Sequence, residues 1–305
     1  MRKLLSSLLI ICSCSTVSFG QQDEQMSMYM YNPLYFNPAY AGSKDAISAV
    51  AMGRFQWINY KGAPMTQWFS VHAPLFFKSM GIGGHLVNDR IGNRSRTAVF
   101  ADFSGSIQIN KKNESRLAGG LSVGVDVLGY DFTKSQVNDP TDPYYGQQFS
   151  TTKPNVGAGF FYYSKKHYIG ISSPRVLEAK ISGVNDIVEL ANVRHFFISG
   201  GYVFDLNSVF KLKPSTLIKY TPKAPVTFDV NLSLLSYEKL WTGIMYRFNE
   251  SAGVNVAYTV KGLTIGYAYD FPINGLRTYQ SGSHEVFIQY DFKTKKSVYT
   301  SPRYF

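Results

Sequence analysis

Five histidines, one adjacent Ser/His pair and two glycine-rich stretches are the parts of this chain whose residue types could do chemistry. His72, His85, His167, His195 and His284 include no pair at the i, i+4 spacing that sets two imidazoles on one helix face for zinc. Both cysteines, Cys12 and Cys14, fall in the first twenty residues, so no thiolate remains downstream to complete a metal set, and no metal or other cofactor is expected. Gly120-Leu121-Ser122-Val123-Gly124 spells a nucleophile elbow, but that motif works on a sharp strand-to-helix turn, and here it sits inside continuous alternation. Gly81-Ile82-Gly83-Gly84 has the glycines of a phosphate loop without the helix whose free amides would hold the anion. Such glycines in a strand serve bending or close packing. Ser283 and His284 are adjacent, so in a strand they point to opposite faces and cannot pair with each other as nucleophile and base. No catalytic residue is assigned, and an enzyme is not expected.

The elements carrying these residues are strands throughout. Val226, Phe228, Val230, Leu232 and Leu234 interleave with Thr227, Asp229, Asn231 and Ser233, and period two means two faces with different surroundings. The same alternation runs through 96–109, 116–127, 263–271 and 284–292. Strands are expected near 46–57, 65–74, 80–89, 96–109, 116–130, 154–163, 167–173, 194–206, 211–220, 226–235, 239–248, 251–259, 262–271 and 283–292. Fourteen antiparallel strands of about ten residues, with aromatics at their ends, have the signature of a transmembrane barrel. A sheet in hydrocarbon must close, because each unpaired backbone group at an open edge costs several kcal/mol.

The connections support that topology. With the first strand running outward, the segments near 75–79, 110–115, 164–166, 207–210, 236–238 and 260–261 are all short and fall on the periplasmic side. The long ones, near 131–153, 174–193 and 272–282, fall on the outer side, as barrels of this kind arrange them. A soluble sandwich or propeller would alternate similarly but has no need of long loops on one side only.

Composition agrees. Of 305 residues, 15% are aromatic and 17% charged, too few charges for a disordered chain or a coiled coil. No run after the N-terminus is long and apolar enough for a spanning helix. Arg2 and Lys3 precede an apolar run from Leu4 to Ile11 and a small-residue site at Ser18-Phe19-Gly20, the plan of a cleaved secretory signal over 1–20. The rival reading is lipidation at Cys14. Cleavage after Gly20 would remove both cysteines and two of the 31 basic residues, leaving 29 against 20 acids, a formal net charge of +9. An exported basic protein meets anionic headgroups or an acidic partner rather than nucleic acid.

The expected domains are therefore the signal, an N-terminal periplasmic or lumen-plug segment over 21–43, the barrel over 44–292, and a basic tail over 293–305. The 21–43 segment does not alternate, and Pro33 and Pro38 fix φ, remove donors and hold Asn32 and Asn37 extended. It is a poor strand and a candidate plug or docking element, because fourteen strands leave space inside for one.

The residues Tyr31-Asn32-Pro33-Leu34-Tyr35-Phe36-Asn37-Pro38-Ala39-Tyr40-Ala41-Gly42 resemble the N-terminal signature of the PorP/SprF family of type IX secretion system membrane proteins. The resemblance continues through Arg54-Phe55-Gln56-Trp57, Gly62-Ala63-Pro64 with Thr66, Gly81-Ile82-Gly83-Gly84 with Asn88-Asp89 and Ile91-Gly92, Pro154-Asn155 with Gly157 and Gly159, Lys213-Pro214-Ser215, and Gly282-Ser283-His284-Glu285. It implies an integral bacterial outer-membrane barrel in the machinery that exports proteins bearing a C-terminal sorting domain, a system linked to gliding motility and surface adhesins. The implied partners are periplasmic ring lipoproteins, a peptidoglycan-binding lipoprotein, or a secreted adhesin as cargo, together with membrane lipid. The expected role is non-enzymatic docking, with outer loops meeting cargo. Tyr31, Asn32, Pro33, Tyr35, Asn37, Pro38 and Tyr40 in the first segment, and Lys293, Lys295, Lys296 and Arg303 in the tail, are the candidate partner-binding residues. A diffusion or uptake porin is the first alternative and a barrel hydrolase the second.

Overall fold

A computed structural model describes residues 24–44, 46–75, 79–133, 141, 145–182, 189–222 and 224–293. The expected signal peptide and cleavage site, and most of the basic tail, including Lys295, Lys296 and Arg303, lie outside the described residues.

Among the described residues seventeen strands follow in chain order: β1 (Ala46–Phe55), β2 (Met65–Pro74), β3 (Met80–Ile91), β4 (Arg94–Asn110), β5 (Ser115–Asp131), β6 (Gln148–Tyr163), β7 (His167–Ser173), β8 (Ala179–Ser182), β9 (Glu189–Asn192), β10 (Phe196–Tyr202), β11 (Phe204–Asp205), β12 (Phe210–Tyr220), β13 (Thr227–Ser236), β14 (Leu240–Arg247), β15 (Ser251–Val260), β16 (Leu263–Pro272) and β17 (Ser283–Lys293). β11 continues β10 on the same neighbour, and β8 with β9 forms a separate hairpin in an outer loop. The remaining strands make fourteen antiparallel staves. β1 pairs with β17, and β10 pairs with β7 on one side and β12 on the other, so the sheet closes on itself. No helix among the described residues is long and apolar enough to cross a membrane.

The strand expectations hold to within a few residues, with two corrections. β6 begins at Gln148 rather than near 154, because Thr151 to Asn155 keep pairing with β5 above the point where β7 joins. The long outer connection near 174–193, in which the sequence predicts no strand, contains the β8–β9 hairpin. Turn chemistry explains the tight end: Tyr237 and Glu238, and then Lys261 and Gly262, all have positive φ, the pattern of two-residue turns whose twist matches antiparallel strands.

Alternation separates the two faces as read. Leu121, Val123, Phe160, Ile169, Ile244 and Ile265 stand exposed on the outside, where hydrocarbon replaces water. Their neighbours Ser122, Asp126, Asn155, Asp229, Asn255, Asp270 and Glu285 are buried on the inside. Aromatic pairs mark both rims: Tyr130 with Phe149 and Phe228 with Phe248 above, Tyr202 with Phe204 and Tyr290 with Phe292 below. Rings that are apolar in body and polar at the tip favour the headgroup level.

Candidate functional site

The segment from Glu24 to Lys44 runs down the inside of the barrel. Its first residues lie at the outer end, and Lys44, ahead of β1, lies at the periplasmic end. Three short turns, Tyr29–Tyr31, Pro33–Phe36 and Pro38–Tyr40, carry it. Each proline opens a turn, where its missing N–H costs no hydrogen bond, and the Asn37 side chain accepts from the Ala39 amide to cap the last one.

Two different chemistries hold this plug. In the periplasmic half the wall presents glycines. A Cβ on Gly120 would land on the Ala39 nitrogen, one on Gly81 on the Ala41 carbonyl oxygen, and one on Gly159 on the Asn37 side-chain oxygen. Polar wall groups then fix the height: Ser104 donates to the Ala41 carbonyl at 2.6 Å, Ser172 to the Phe36 carbonyl at 2.8 Å, and Asn37 to the Phe160 carbonyl at 2.9 Å. Ring contacts fill the rest. Tyr31 stacks on Phe287 at 4.3 Å, Phe36 meets Phe197 at 5.1 Å, and Tyr40 lies edge-on to Phe161 at 5.4 Å.

In the outer half the plug is held by charge. The Glu285 carboxylate, fully buried, accepts the amides of Ser27 at 2.8 Å and Met28 at 2.7 Å and pairs with Arg54 at 3.1 Å. Arg54 also binds Asp270 at 2.6 Å, and the Ser27 hydroxyl donates to the same Asp270. Glu24 receives Arg96 at 2.6 Å, Arg175 at 3.4 Å and the Tyr35 hydroxyl at 2.7 Å. Arg247 joins Asp229 at 3.0 Å to the Met26 carbonyl and Gln25. Hydrogen bonds to ionised groups are about twice as strong as neutral ones, so these four arginines bind the plug and the wall into one network. At the periplasmic end Lys44 reaches Asp291 at 3.4 Å; burial lowers its pKa, and Asp291 opposes that shift.

The sequence-predicted residues divide accordingly. Asn32, Tyr35, Asn37 and Tyr40 are buried in the lumen, with Pro38, while Tyr31 and Pro33 are partly buried there. All seven pack on the inner wall rather than on a surface open to a partner. The backbone of Lys293 closes β17. The sequence reading did not assign Glu24, Arg54, Arg96, Arg247, Asp270 or Glu285 to a site. The available signal was charge on the inward parity of a membrane strand, since buried charges come paired.

The chemical motifs resolve as scaffold. Gly120 of the elbow-like motif and Gly81 of the loop-like motif are plug seats, a closer packing role than strand bending. His284 points outward to the Tyr267 hydroxyl at 2.6 Å, while Ser283 is buried and accepts the Trp57 amide. Ser164 does meet His167 at 2.9 Å, but its hydroxyl also takes the Lys166 and His167 amides, which is the bonding of a tight turn. Ser164→Ala is therefore expected to lower the barrel's stability by about 1 kcal/mol, measured by thermal melting. Among the described residues no group of three or more His, Cys, Asp or Glu is placed to hold a metal.

A closed antiparallel barrel with a lipid-facing apolar band, aromatic rims and an internal plug is an integral outer-membrane protein. Among solved structures, a Pseudomonas aeruginosa FadL homologue is similar with a TM-score of 0.50 and 11% identity, over 90% of this chain and 96% of that one. The Acinetobacter baumannii outer membrane protein Omp33 matches with a TM-score of 0.47 and 7% identity, over 82% of this chain and 100% of that one. Comparison with curated proteins gives no match. The pattern described as "Type IX secretion system membrane protein PorP/SprF" matches residues 18–290. The chain belongs to the PorP/SprF family.

Proposed function

We propose that this protein is a non-enzymatic docking component of the type IX secretion machinery, with its two rims as the working surfaces. The observation that carries this reading is the seated plug: a lumen occupied from Glu24 to Lys44, hydrogen-bonded to the wall at both ends, favours a scaffold over a diffusion pore. A partner role for Tyr31, Asn32 and their neighbours requires the segment to leave the lumen, so docking is assigned to the rims. On the periplasmic rim Lys111 and Lys112 are exposed and make no ion pair among the described residues, whereas Lys165 and Lys166 in the next turn are paired to Glu114 at 2.8 Å and Asp205 at 2.6 Å. Lys111 and Lys112 give a basic patch suited to an acidic face of a periplasmic ring or peptidoglycan-binding lipoprotein, and the basic tail residues Lys293, Lys295, Lys296 and Arg303 are proposed on sequence to add to that charge. The outer loops 132–147, 174–195 and 273–282 are the surfaces for an adhesin with a C-terminal sorting domain.

The test is recovery of partners with the tagged barrel from its native envelope. Co-recovery of a machine lipoprotein, reduced at least tenfold by Lys111→Glu with Lys112→Glu, supports the periplasmic assignment. Shortening the 273–282 loop should lose cargo and keep the lipoprotein. Recovery of the barrel alone, with steady single-channel conductance in a planar bilayer, overturns the docking reading in favour of a porin.

A further inference from the structure

On the lipid-facing wall, across β10, β12, β13 and β14, lies an apolar cavity of about 550 Å³, within the size range of small-molecule sites. Its origin is a local loss of side-chain height. Gly200 and Thr216 are cross-strand partners, and Pro214 is two residues away on the same outward face. Around them stand Tyr202, Val230, Leu232, Ile244 and Tyr246, all exposed to the outside. Pro214 has no N–H for the ladder, and the pairing of β10 and β11 with β12 is interrupted between Gly201↔Ser215 and Phe204↔Leu212.

The depth of this groove identifies what reaches it. Ile244 is five residues along β14 from Lys239, about 17 Å of strand, which a tilt of about 40° converts to about 13 Å of depth. That is close to one leaflet's share, about 15 Å, of the hydrocarbon core. Lys239 and Lys261 lie in adjacent periplasmic turns, joined by the Thr259 amide donating to the Lys239 carbonyl at 2.8 Å. Both lysines are exposed and make no ion pair among the described residues.

We propose that this groove is a specific lipid site that takes the acyl chain of an anionic phospholipid of the periplasmic leaflet, with the phosphate held by Lys239 and Lys261. The proposal is independent of the docking reading. The occupant is fixed by charge below and an apolar slot at midplane above, one acyl chain apart.

The test uses the full barrel, delipidated by detergent exchange and titrated with phosphatidylglycerol or phosphatidylcholine while bound lipid is counted by native mass spectrometry. Wild type should retain one phosphatidylglycerol in at least fivefold preference to phosphatidylcholine. Gly200→Trp fills the groove from a position where a Cβ meets only the Tyr168 carbonyl oxygen, at 3.5 Å, and should cut retention of both lipids at least fivefold. Lys239→Glu with Lys261→Glu should abolish the preference and leave phosphatidylcholine binding unchanged. Should Gly200→Trp fail to fold, judged by heat-dependent gel migration, Thr216→Phe fills the same space and carries the same expectation. Absence of a stoichiometric lipid, or retention that the filling variants do not alter, overturns the proposal.

Discussion

Gly120→Val is expected to drive the plug off the barrel wall and turn a closed protein into a conducting one. A Cβ at this position meets the Ala39 nitrogen at less than any real contact distance, and the Pro38 carbonyl carbon at 2.5 Å. These are backbone atoms, so no side-chain rotation relieves the collision, and overpacking of this kind costs about 1–3 kcal/mol even where neighbours can adjust. Here the wall is a closed ladder, with Gly120 paired to Ser104 on one side and Gly159 on the other. The 24–44 segment takes no part in that ladder, so it is the part that yields. Gly119→Val is the control: it faces lipid, and its added Cβ meets only the Phe160 ring at 3.6 Å. Planar-bilayer recordings should show frequent open-channel events for Gly120→Val and a closed baseline for wild type and Gly119→Val. Equal silence of all three would mean that the glycine seat does not hold the lumen shut.

Glu285→Ala attacks the other end. It removes the acceptor of the Ser27 and Met28 amides and leaves Arg54 with Asp270 and the Ser27 hydroxyl as its nearest oxygens. Removing one partner of a buried pair costs about 3–5 kcal/mol, because the remaining charge and donors are stranded. The plug is expected to detach from Glu24 to Met28 while the aromatic and glycine contacts below persist. A Ser27→Cys reporter, inert to a water-soluble thiol reagent in the otherwise wild-type barrel, should then label at least tenfold faster. Glu285→Gln should behave almost as poorly, since its amide NH₂ turns a donor toward an amide or guanidinium that needs an acceptor. If either variant leaves the reporter thiol protected, the charge network is not what seats the outer end.

The two substitutions are far apart in the sequence and act on opposite halves of one segment. Their difference in outcome therefore separates packing from electrostatics. A barrel opened by Gly120→Val in which the Ser27→Cys thiol stays protected would show that the outer clamp holds without the lower seat.

Much of this architecture is set by the sequence directly. Strict alternation at 226–234 or 263–271 leaves one solution in a membrane, a strand with one face to lipid and one inward, because side chains repeat every second residue. A sheet without edges must close, and short turns at one end with long connections at the other orient it. Pro33 and Pro38, in a segment that does not alternate, likewise mark 24–43 as a poor wall strand, since each proline removes a ladder donor. Alternation says which way Arg54, Asp229, Asp270 and Glu285 point, and nothing about what they meet there. Arg54 meets Asp270 and Glu285, and Ser27 meets the same two carboxylates, across more than 200 positions, and only barrel closure brings β1, β16 and β17 around one turn of the plug. The glycines are the sharpest case. Gly81 and Gly120 look like a phosphate loop and a nucleophile elbow when read along the chain, and Gly159 has no chemical reading there. Across the lumen they are one surface, cleared of side chains so that the backbone from Asn37 to Gly42 can lie against it, because close backbone approach is a property of facing strands rather than of any local motif.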